Sequence, residues 1–190
     1  MKHDARAVLE ALAGSLDADS VLEKFPGLDR ETLGALVAEA AAKMPAGRAE
    51  KGKGKEKLIV YVDGASRGNP GEAGAGVVFK DPSEEVVEKL SLYLGQATNN
   101  MAEYKALLLA LKRAGELGAT SLQVYSDSEL LVHQINGRYR VRVPHLQKLC
   151  QEAIRLIRGF RSVNISHIPR EKNAEADEQA NIAIDQSLKG

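Results

Sequence analysis

The chain has one cysteine in 190 residues, no net charge, and no apolar run long enough to cross a bilayer. Each absence removes a class of protein. The lone thiol, Cys150, cannot close an internal disulfide, and no Cys/His set at zinc-ligand spacing surrounds it, so a structural thiol is expected. With 26 Lys and Arg against 26 Asp and Glu, no global positive field draws in a polyanion, and any nucleic-acid site must be local. No stretch nears the roughly 18 apolar residues of a membrane span, and the Met-Lys-His-Asp start lacks the apolar centre of a secretory signal. The expectation is a cytoplasmic protein with no membrane partner. Hydrophobic residues at 44% and charged residues at 27% are the mixture of an ordinary folded globular protein. The length accommodates one ordinary domain and a small appendage.

Three segments follow from the patterning. Residues 1–46 read as a small helical domain: Val8, Leu9 and Leu12 share one helical face, Leu33, Leu36, Val37 and Ala40 another, with Pro26-Gly27 between them. Up to Glu50 this segment carries nine acidic and six basic residues, which disfavours phosphate binding over its whole surface. Docking on the rest of the chain, self-association into an oligomer through these helices, and recruitment stay open, and protein partners are undefined. Residues 47–57, with Gly47, Gly52, Gly54 and lysines at 51, 53, 55 and 57, form a Gly/Lys-rich linker. Residues 58–190 read as an α/β domain.

In that domain Leu58-Ile59-Val60-Tyr61-Val62 is a buried strand that ends at Asp63. Strands over 74–80 and 86–94 follow across short turns, which favours antiparallel pairing. A helix is predicted over 99–116, closed by Gly118, then a strand at 121–126, a short helix from 128, a helix at 144–158, a strand at 162–167 and a last helix from 173. Strands alternating with helices in this half predict parallel additions, and so a mixed five-stranded sheet flanked by helices.

Asp63 and Asp127 fall at strand ends, Glu103 in the first turns of a helix, and Asp177 near the start of the last helix. Packed as predicted, the four carboxylates converge on one edge of the sheet. Unpaired acids at such distances are driven toward protonation, whereas divalent cations keep them ionised; oxygen ligands suit Mg2+ or Mn2+ rather than zinc.

The run Asp63-Gly64-Ala65-Ser66-Arg67-Gly68-Asn69-Pro70-Gly71 is followed by Thr98-Asn99-Asn100-Met101-Ala102-Glu103, by Tyr125-Ser126-Asp127-Ser128, and by His167-Ile168-Pro169-Arg170-Glu171-Lys172-Asn173-Ala174-Glu175-Ala176-Asp177. In that order and on those elements, the four motifs resemble the type I ribonuclease H family over about residues 58–186. The resemblance implies a ribonuclease H-like fold and an endonuclease that hydrolyses the RNA strand of RNA/DNA hybrids with two Mg2+ ions, Mn2+ being a substitute, leaving 5′-phosphate and 3′-hydroxyl ends. Asp63 and Asp177 would hold the water-activating ion, while Asp63, Glu103 and Asp127 would hold the leaving-group ion. His167 matches a mobile-loop histidine that assists proton transfer or product departure. Asn99 and Asn100 match residues that read the RNA minor groove and its 2′-hydroxyls. The segment of Gly64, Ser66, Arg67 and Gly68 would approach the RNA strand, Asn69 and Thr98 a DNA phosphate, and Asn173 completes the implied substrate set.

The stretch 136–144 departs from well-studied bacterial relatives, which carry a helix and basic loop there; this chain resembles the compact form. Arg138, Arg140 and Arg142 are open to two readings, contact with the DNA backbone or a solvated loop. Two other classes compete with the enzyme: a noncatalytic hybrid-binding protein, disfavoured by the retained carboxylates, and an exonuclease of the wider superfamily, disfavoured by the asparagine pair.

Overall fold

The computed structural model describes Thr32 and residues 56–188, and the chain divides into two units, Met1–Gly52 and Lys53–Gly190. The helices and linker expected before residue 56 otherwise lie outside the described residues.

The second unit is built on a five-stranded sheet in the order β3-β2-β1-β4-β5. Strands β1 (Lys57–Gly68), β2 (Gly71–Lys80) and β3 (Val86–Ala97) form an antiparallel meander, and β4 (Ser121–Ser126) and β5 (Ser162–His167) add in parallel beyond β1. The fold class expected from the patterning is the observed one. Four helices complete the unit: α1 (Asn99–Glu116), α2 (Glu129–Ile135), α3 (Pro144–Ile157) and α4 (Ala174–Ser187), with a 3-10 turn at Arg170–Lys172 ahead of the last.

Alternation along β1 sends Leu58, Val60 and Val62 to one face of the sheet, where they join Val77 and Phe79 of β2 under Tyr104, Leu107 and Leu111 of α1 and Leu146 and Cys150 of α3. Cys150 is a free, buried thiol, as a structural role requires. Helix α1 starts where the Thr98 side chain accepts from the Met101 N–H at 3.3 Å, and it stops ahead of Gly118, whose φ of 73° turns the chain out of the helix. The opposite face is covered by α4, whose buried side carries the methyl groups of Ala176, Ala180 and Ala183 and, beside them, Ile184. Those methyls meet glycine: a Cβ at Gly76 would lie 2.0 Å from the Ala176 carbonyl oxygen, and one at Gly74 2.3 Å from that of Ala180. The helix therefore rests on the sheet backbone to backbone.

Two boundaries differ from expectation. The second strand starts at Gly71 rather than 74, because the two-residue turn of Asn69 and Pro70 pairs Gly68 directly with Gly71. The first strand does not end at Asp63 but continues to Gly68 along β2, with Asp63 opposite Gly76. What stops near Asp63 is the parallel ladder to β4, whose last pair is Tyr61 with Tyr125. Past that point β1 and β4 part, and a gap opens at the carboxyl end of β4.

Candidate active site

That gap holds the acids. Asp63 points from β1, Asp127 follows the last residue of β4, and Glu103 comes from the second turn of α1; their carboxylate oxygens lie within 4.8 Å of one another. Glu103 reaches so far in because β1 has no side chain at Gly64, where a Cβ would sit 2.1 Å from the Glu103 backbone nitrogen. The Gly64 N–H donates to the Glu103 carboxylate, while Glu103 Oε2 is buried without any hydrogen-bond partner. Asp63 is 5% exposed and Glu103 6%, so two acids sit in a space that one charge would already burden.

The electrostatics follow from that crowding. Burial first, then repulsion from Asp127 and Asp177, push Asp63 up to about 7 from an ordinary 3.8. Burial, with repulsion from Asp63 and Asp127, holds Glu103 well above the usual carboxylate range. A partnerless buried carboxylate oxygen beside two further carboxylates is a set of hard oxygen donors lacking positive charge, and such donors fit a divalent cation of the magnesium class.

Asp177 stands at the rim of the same open cleft, which has a volume of about 280 Å³. Its Oδ1 accepts from Arg170 Nη2 at 2.8 Å and its Oδ2 from Asn181 Nδ2 at 3.1 Å. Gly64, Ser66, Arg67 and Asn99 also line the cleft, and Ala65 joins them. Ser66 Oγ reaches the Ala97 carbonyl at 2.8 Å, and Arg67 pairs with Asp185 at 2.6 Å. Asn69 accepts from the Asn99 N–H at 3.3 Å through its side chain, which ties the β1–β2 turn to the start of α1. Asn100 is exposed next to it, outside the cleft lining.

Gly68, Asn69, Thr98, His167 and Asn173 do not line the cleft either. His167 is exposed at the end of β5, opposite Ser126, and does not line the cleft. Asn173 lies beneath the acids, 1% exposed. Its Nδ2 donates to the Val62 carbonyl at 2.9 Å and to Asp127 Oδ1 at 2.8 Å, and its Oδ1 is buried with no partner. Its geometry is that of a support for Asp127. Arg170 and Asn181 were given no role from the sequence; Asn181 follows Asp177 by four residues on one helix, a spacing that places both on one face.

A family model described as reverse transcriptase-like matches residues 61–183. The structure superposes on RNase H1 of the halophilic archaeon Halobacterium salinarum with a TM-score of 0.67 at 38% identity, covering 68% of this chain and 98% of that one. The chain belongs to the ribonuclease H family. Another ribonuclease H relative, LC11-RNase H1, solved in complex with an RNA/DNA hybrid, is 41% identical with a TM-score of 0.67, over 69% of this chain and 99% of that one. A protein of Mycobacterium tuberculosis named as bifunctional is 44% identical over 130 residues, 68% of this chain but 36% of its own length. This ribonuclease H chain thus spans little more than a third of that relative, whose N-terminal RNase H domain aligns at 42% identity with a TM-score of 0.67, over 70% of this chain and 96% of that structure. Among the described residues no helix is long and apolar enough to cross a membrane.

Proposed function

We propose that this chain is an endonuclease that hydrolyses the RNA strand of RNA/DNA hybrids with two Mg2+ ions, or Mn2+ in their place, leaving 5′-phosphate and 3′-hydroxyl ends. The observation that carries the reading is the trio Asp63, Glu103 and Asp127, with ligand oxygens within 4.8 Å of one another in a cleft that Asp177 also lines. Asp63 and Asp177 would hold one ion, and Asp63, Glu103 and Asp127 the other. When bound, the ions supply an acidified water and positive charge for the leaving oxygen.

The protein's own contribution is placement. Asn173 fixes Asp127 from below, the Gly64 N–H fixes one oxygen of Glu103, and Arg170 sets a cation at the rim beside Asp177. Asn99, exposed on the cleft wall, and Asn100 beside it present amides suited to 2′-hydroxyls, while Ser66, Arg67 and Gly68 offer polar groups and backbone to the same strand. Thr98 and Asn69, whose side-chain oxygens already accept in the cap and the turn, keep a hydroxyl proton and amide protons to donate to a phosphate on the other strand. His167, at the mouth of the β5 end, serves proton transfer or product departure. We assign this chemistry to residues 58–190, with residues 1–46 as a separate helical domain on the 47–57 linker. A purely binding role fits less well, since crowding buried acids is costly and a binder gains nothing from it.

The deciding assay incubates a hybrid labelled on the RNA strand with purified protein and Mg2+ or Mn2+. Cleavage is expected, and Asp63→Asn or Asp127→Asn should abolish it. Intact hybrid with both metals would overturn the reading.

A further inference from the structure

The zero net charge hides a segregation. Between Asn136 and Arg161 lie seven of the chain's 26 Lys and Arg residues and one of its 26 Asp and Glu residues. These cations occupy the loop before α3, α3 itself and the turn after it. On α3, Leu146, Cys150 and Ala153 face the core, which leaves Lys148 and Arg155 on the outer side and Arg158 at the residue that closes the helix, all exposed. Lys148 and Arg155 are seven residues apart, two helical turns or about 10 Å on one face, and Arg158 continues the line for about 4 to 5 Å. None of the three makes an ion pair among the described residues. The one acid in the segment, Glu152, is taken up by Lys112 at 2.7 Å, so it does not neutralise the stripe.

Topology sets where the stripe runs. The chain leaves β4 at the acid end of the sheet and returns along α3 to start β5 at the opposite end. The stripe therefore begins near the loop of Arg138, Arg140 and Arg142 and leads away from the cleft. Its ligand chemistry follows from what lies between the cations. No large hydrophobic side chain of α3 is exposed, and Gln151 is the neutral neighbour. A protein partner needs an apolar centre to its contact, whereas a phosphate backbone needs only spaced positive charges.

We propose that the outer face of α3 is a second, sequence-independent binding surface for the phosphate backbone of double-stranded nucleic acid, separate from the catalytic cleft. It holds duplex that is not being cut, and it needs no divalent metal.

The test uses the full chain in chelator, a 30-base-pair DNA duplex without ribonucleotides, and fluorescence anisotropy at several salt concentrations. In K148Q/R155Q/R158Q, three phosphate contacts are lost, so affinity should fall roughly tenfold or more and the log-log salt slope should shrink by about 2 to 3. R155K/R158K, which keeps the charges, should bind like the parent; circular dichroism confirms the fold of both variants. Turnover of a 12-base-pair hybrid should be unchanged in the triple variant. Unchanged duplex affinity and slope would overturn the proposal, as would retained duplex binding with loss of affinity for an acidic peptide of matched charge. Hybrid cleavage by the parent in the same preparation separates the two readings: it tests the cleft alone, and the salt slope tests α3 alone.

Discussion

At pH 8 and without divalent metal, Asp63→Asn should make the protein more stable. In the folded state Asp63 is pushed up to about 7 from 3.8, so the folded chain binds this proton more tightly than the unfolded chain does. Stability from this group is then present in full below about pH 4 and is lost as pH rises through about 7. The difference of about 3 pK units, at about 1.4 kcal/mol per unit, sets a ceiling of about 4 kcal/mol. Part of that repulsion is shared with Asp127 and Asp177, and the cleft is open to water on one side, so the variant should gain about 1 to 3 kcal/mol. For a domain of this size that is a rise in Tm of roughly 3 to 9 °C. Thermal unfolding followed by circular dichroism in chelator, from pH 4 to 9, reads it directly. The two curves should meet at the acid end and separate toward neutrality, with the variant higher. Adding Mg2+ at pH 8 should then raise the parent and leave the variant nearly unmoved, since binding to the folded state alone stabilises it. A variant that is no more stable than the parent at pH 8 in chelator would refute the account of a strained acid cluster.

Gly64→Ala would drive a methyl group against the backbone of α1 at Glu103; it should cost about 3 kcal/mol or more in a denaturant titration and lower hybrid cleavage in the surviving folded protein. Asn173→Ala removes the amide that donates to the Val62 carbonyl and to Asp127 Oδ1 and should cost about 2 to 3 kcal/mol, with Mn2+ affinity by paramagnetic resonance weakened roughly 10- to 100-fold. His167→Ala should slow turnover while the metal dependence stays as it was; an unchanged single-turnover and steady-state rate would leave His167 as an exposed strand end and nothing more.

Helix α1 and strands β4 and β5 lie where periodicity and end signals put them, since Leu and Ala spacing, Thr98 and Gly118 are local information. The start of β2 was not local: Gly71, Ala73 and Gly74 have little strand preference, and pairing with Gly68 to Ala65, together with the contact of Gly74 with α4, decides their state. The run through Asp63 misled for a related reason. A residue flanked by an antiparallel partner on one side and a departing parallel partner on the other ends one ladder and not the other, and sequence carries no mark of which. Motif order singled out the acids, but the burial of Asn173 depends on Val62 and Asp127, residues 111 and 46 positions away along the chain. Charge counting over the whole chain concealed the cationic face of α3, because the acids of the remaining elements cancel it.

The contact of Gly74 and Gly76 with α4 makes the chain's sensitivity to substitution uneven in size. Ala176, whose carbonyl lies over Gly76, is the neighbour of Asp177, so any atom added to the strand there would lift the helix at the point nearest the fourth acid. A bulky change on the outer side of the same helix, at Glu178 or Gln186, meets only solvent. In a library of random variants, glycine-to-alanine changes at 74 and 76, the mildest by volume, should rank among the most damaging to catalysis, while far larger replacements one strand-width away pass unnoticed.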